Sequence, residues 1–64
     1  MNERKAGGLA NKIYAAVKAG KISPREALKL LDPLVGDFSY TQFGKYHEFA
    51  HFYRENPWFL DKKA

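Results

Sequence analysis

Ser23-Pro24-Arg25-Glu26-Ala27-Leu28-Lys29-Leu30-Leu31-Asp32-Pro33 carries a helix start at one end and a helix stop at the other. Ser23 and Glu26 have the spacing of a capping box, in which the serine hydroxyl accepts from the Glu26 amide and the glutamate reaches back to the serine amide. Pro24 falls at the first helical position, where its missing N–H costs nothing. At the far end Pro33 pushes its predecessor out of the helical region. The stretch therefore predicts a helix over 24–31. With Ala27, Leu28, Leu30 and Leu31 it is apolar on most sides, which predicts burial.

Outward from this segment, the pattern repeats on both sides. Upstream, Leu9, Ile13, Ala16 and Val17 fall at i, i+4, i+7 and i+8, one face of a helix over about 9–19, and Gly20 closes it. Downstream, residues 34–38 form a connection with Gly36-Asp37 as its turn. A second capping box, Ser39-Tyr40-Thr41-Gln42, opens a helix over 40–56 that ends at Asn56-Pro57. On a helical wheel Phe43, Tyr46, Phe49, Ala50 and Tyr53 share an arc of about 120°, the width of a core-facing stripe. No segment alternates with strand period. The expectation is an all-α fold: one compact three-helix domain spanning residues 1–64, with an aromatic C-terminal tail and frayed ends at 1–6 and 61–64.

Composition narrows the function. A chain of 64 residues buries only about 60% of the surface its unfolded form exposes. It has no cysteine, so neither disulfides nor thiolate metal sites supplement the core. Its longest aliphatic or aromatic run is Ile13-Tyr14-Ala15-Ala16-Val17, too short for a membrane span or a secretory leader. A cytoplasmic protein without a cofactor is expected. Residues 1–29 hold seven lysines and arginines against Glu3 and Glu26, a surplus of +5, while residues 30–64 hold four against five acids. The aromatics run the other way: of ten, only Tyr14 precedes residue 38.

One segment carries the outline of chemistry. His47-Glu48-Phe49-Ala50-His51 resembles the zinc-binding helix of zincin metalloproteases, in which histidines at i and i+4 bind one metal and the glutamate between them activates water. That resemblance implies His47 and His51 as ligands and Glu48 as base. It covers five residues. Arg54 and Pro57 stand where the extended motif needs glycine and histidine, Glu55 is about 12 Å along the helix from His47, and only Asp61, folded back, offers another acid. The expectation is therefore a solvated polar helix face, no metal site and no enzyme.

Two binding readings follow from the charge and aromatic asymmetry. Lys12, Lys18, Lys21, Arg25 and Lys29 offer a basic surface for nucleic acid, although no Asn, Gln or Arg cluster is present to read base edges. Phe52, Arg54, Trp58 and Phe59 offer a patch for a protein partner, since ten aromatics exceed what so small a core must bury. Phe52 falls outside the stripe, and Trp58-Phe59-Leu60 follow the helix stop. This tail either folds over the groove between the first and third helices or stands out as an anchor. The favoured expectation is a small regulator, inhibitor or accessory protein that docks on a protein. Nucleic-acid binding is the alternative, and pairing of two copies through exposed rings is a further possibility.

Overall fold

The computed structural model describes residues 1–64. Three α-helices, α1 (Glu3–Lys18), α2 (Pro24–Leu31) and α3 (Tyr40–Glu55), are joined without any strand; a 3-10 helix over Asp32–Asp37 links α2 to α3, and a 3-10 turn over Pro57–Phe59 opens the tail. The all-α, three-helix architecture with an aromatic tail is the one expected from the sequence. No helix is long and apolar enough to cross a membrane.

α1 begins much earlier than the periodicity of Leu9–Val17 suggested, and residues 3–6 are helical rather than frayed. Asn2 is extended, and its side chain accepts from the Lys5 amide at 2.8 Å, while Glu3 puts an acid in the first turn, where the helix dipole favours it. The longer helix shifts the buried stripe to Ala6, Ala10 and Val17, with Ile13 half-buried and Leu9 exposed. Small side chains thus make up most of the buried face of α1. At its other end Gly20 takes φ +75°. The Lys21 amide donates to the Ala16 carbonyl and the Gly20 amide to Val17, the paired bonds of a Schellman stop.

α2 is capped from one side only. The Ser23 hydroxyl accepts from the Glu26 amide at 3.3 Å, but Glu26 is exposed and makes no return bond. Ala27 and Leu31 are fully buried and Leu34 nearly so, whereas Leu30 faces solvent; α2 is thus buried along one face, not on most sides. Pro33 ends the α-helix as expected, yet the chain tightens into a 3-10 helix instead of opening into a loop. That tightening carries Leu34 under the α1–α2 contact. Leu31 is the one large side chain sealed completely from solvent.

α3 is held differently. Ser39 caps it by accepting from the Gln42 amide at 3.2 Å, but the Gln42 side chain does not complete the box. It crosses to α1, donating to Asn11 Oδ1 at 2.9 Å and toward the Gly7 carbonyl at 3.5 Å. Gly7 lies against it: a Cβ there would sit 3.4 Å from Gln42 Cγ, an ordinary contact. The remaining α1–α3 contact is aromatic, Tyr14 against Phe49 with ring centroids 5.2 Å apart. No residue of α3 is fully buried.

Candidate functional site

The helix stop at the end of α3 decides where the tail goes. Asn56 leaves the helical region, and both its backbone amide and its side-chain amide donate to the Phe52 carbonyl at 2.9 Å. Pro57 then starts the 3-10 turn, and the chain bends back toward α2. The Leu60 carbonyl accepts from the Arg25 amide at 2.9 Å. This donor belongs to the first turn of α2, where backbone N–H groups have no partner within the helix. Next to it the Arg25 guanidinium grips Asp61 through Nε at 2.8 Å and Nη2 at 3.4 Å. That fork, by hydrogen bond first and charge second, holds the Asp61 carboxyl below its ordinary range and raises the arginine further.

So anchored, the tail divides into a plug and a display. Leu60 is half-buried and lines a groove with Leu28, Tyr46, Ala50 and Tyr53; it therefore covers the α2–α3 side, not the α1–α3 groove. Trp58 and Phe59 remain 62% and 38% exposed, and Phe52 of α3 is 48% exposed. Phe59 links the other two. Phe52 and Phe59 stack with centroids 5.9 Å apart and planes 17° from parallel, and Trp58 lies 6.0 Å from Phe59. Phe52 also meets Tyr53 edge-on at 4.9 Å, which ties the cluster to the half-buried stripe.

Arg54 does not join them. Two residues along a helix turn through about 200°, and Arg54 lines the Leu60 groove on the other flank of α3. Phe43, expected in the core stripe, is half exposed, and Tyr40 is almost wholly so; both lie near the opposite end of α3, apart from the Phe52 cluster. The sequence reading also missed Lys62 and Lys63. The Lys62 amide donates to the Phe59 carbonyl at 3.1 Å, a turn that brings its ammonium to 5.7 Å from the centre of the Phe59 ring. The Phe59-x-x-Lys62 spacing was the available signal.

The other candidates are dispersed. His47 and His51 are exposed on α3 with their rings stacked at 6.0 Å, and His51 Nε2 lies 3.9 Å from Glu55. Asp61, the acid that might have completed a ligand set, is taken by Arg25, and no group of three His, Asp or Glu side chains comes together. The lysines do not make one surface either. Lys12 and Lys18 are about 120° apart around α1 and flank its buried stripe on opposite sides. Lys21 and Lys29 are exposed, while Arg25 is committed to the tail. Compared with known protein families, curated proteins and solved structures, the chain matches none.

Proposed function

We propose that this chain is a non-enzymatic binding protein, of regulator, inhibitor or accessory type, that docks on a protein partner through Phe52, Trp58 and Phe59. The observation that carries this reading is the stacked, solvent-facing cluster itself. Its rings come from two separate elements, and a backbone hydrogen bond and an ion pair hold the tail that brings them together. Rigid aromatic side chains bury large areas at little entropic cost and dominate binding hot spots. Phe52, Trp58 and Phe59 stay 48%, 62% and 38% exposed, so apolar surface is left over for a partner. Nucleic acid is less well supported, because the basic residues of the first half are split between faces and Arg25 is paired. We take its action to be in the cytoplasm, an environment that the cysteine-free composition suits. A net charge of +4 disfavours pairing of two copies.

The test is affinity capture with the wild-type chain and with Phe52→Ala and Trp58→Ala. A protein complex that persists after nuclease treatment and disappears with either variant is expected. Circular dichroism and a thermal melt of Phe52→Ala, expected to show a folded, helical chain, separate loss of capture from unfolding. Capture that needs nucleic acid, or that ignores both substitutions, would overturn the reading.

A further inference from the structure

Past α3 the chain lies on the rest of the molecule without entering it. From Asn56 to Ala64 no residue is buried, and only Asn56 and Leu60 are partly covered. The Leu60 carbonyl takes the Arg25 amide, the Arg25 guanidinium takes Asp61, and Ala64 comes to rest against Gly20, in space that a Cβ there would occupy. Phe59 adds its stack on Phe52. Both side chains of the fork are exposed, at 52% and 72%, and an ion pair so open to solvent contributes little to stability. The helices, by contrast, are closed by their own backbone bonds and by the sealed Leu31. A segment with so few buried contacts opens far more readily than the core it rests on. We infer that residues 56–64 form a strap that leaves and re-docks while α1, α2 and α3 stay folded, and that Arg25 is the positioning residue that sets how much of it is docked. Trp58 and Phe59 travel with the strap and Phe52 does not, so the aromatic cluster exists only in the docked state. A partner that needs all three rings meets them only in that fraction of molecules, and its apparent affinity falls in proportion. This regulation of the docking surface rests on the docking reading above; the motion of the strap does not.

The Arg25 amide reports this equilibrium directly. It stands in the first turn of α2, where no carbonyl of the helix can take it, and its bond goes to Leu60. Amide hydrogen exchange followed by NMR should therefore show Arg25 exchanging at least about tenfold faster, relative to its intrinsic rate, than amides bonded within α1 and α2. Asp61→Asn should lower the protection at Arg25 by a further factor of about two to five. It should also weaken the Overhauser contacts between the Phe52 and Phe59 rings, with helical circular dichroism unchanged. The charge swap Arg25→Asp/Asp61→Arg should restore both the protection at position 25 and the ring contacts, which a general loss of stability would not do. Arg25 exchanging in step with the helix amides would mean that the tail leaves only when the whole chain unfolds, and would overturn the inference. Protection that ignores Asp61→Asn, or a swap that restores nothing, would do the same. If the strap behaves as expected while capture of a protein ignores Phe52→Ala, the docking reading fails alone. If capture needs Phe52 while Arg25 tracks the helices, the strap fails alone.

Discussion

Along α1 and α2 three alanines, Ala6, Ala10 and Ala27, have no exposure at all; where α3 meets α1 the residues are a tyrosine, a phenylalanine and a glutamine, and all of α3 keeps some contact with water. The first layer is packed by small side chains, with Leu31 sealed and Leu34 nearly so. The second is spaced by rings. It also leaves two polar atoms, the Tyr14 hydroxyl and Gln42 Oε1, out of solvent without a partner in the protein. Burial, and secondarily the neighbouring Tyr46, pushes the Tyr14 phenol above its ordinary range. The contrast teaches that aromatic content is a poor guide to where a small protein keeps its core. Here the ring-poor half is the sealed one.

The contrast can be broken most directly at Leu31. Leu31→Ala should cost about 2–5 kcal/mol, comparable to the whole stability of a domain this small, and urea melts followed by circular dichroism should show a largely unfolded chain. A loss as small as that of an exposed site would mean that the sealed layer is not the stabilising one. Next in size is Gly20→Ala, which should cost about 1–2 kcal/mol, because alanine resists the left-handed conformation and its Cβ would meet the Ala64 carbonyl. Its thermal midpoint should fall accordingly. Tyr14→Phe sharpens the contrast from the other side. It removes an unpartnered hydroxyl without emptying the ring's site, so stability should hold or rise by up to about 1 kcal/mol. A clear loss would show that the hydroxyl has a bonding role.

The smallest effect concerns acid. Asp61 has a depressed pKa in the folded protein, so its pairing favours the docked tail above the unfolded carboxyl's pKa of about 3.9. That contribution is lost as pH falls through the lower, folded value. Trp58 emission should therefore show a step below about pH 4, and Asp61→Asn should remove it. An unchanged step in that variant would assign the transition to another group.

Much of this architecture was legible, and the misreadings share a cause. The serines at 23 and 39, the stop at Gly20 and the prolines at 33 and 57 act through the local backbone, and local rules located them. Leu9 and Phe43 were placed inside because hydrophobicity and period favoured them, but the inward face depends on which neighbours each helix meets. That is a property of pairs of segments. Gln42 fits a capping box by spacing and instead bridges to α1, because Asn11 and the Gly7 carbonyl lie within its reach only once the helices are assembled. At the candidate site Phe52, Trp58 and Phe59 stood out as rings in excess of the core. Arg54 was grouped with them by proximity in sequence, although helical rotation separates it. Lys62 stands three residues after Phe59, a spacing passed over because the turn that folds it back toward the ring belongs to neither helix nor strand.

The bond from the Arg25 amide to the Leu60 carbonyl has a structural consequence for any shortened version of this chain. Clipping after Phe59 looks like trimming a surface ornament, yet it would strip an acceptor from the opening turn of α2 and unroof the flank of Leu28. The rings offered outward and the beginning of the middle helix are stitched together at Arg25, by this bond and by its fork with Asp61.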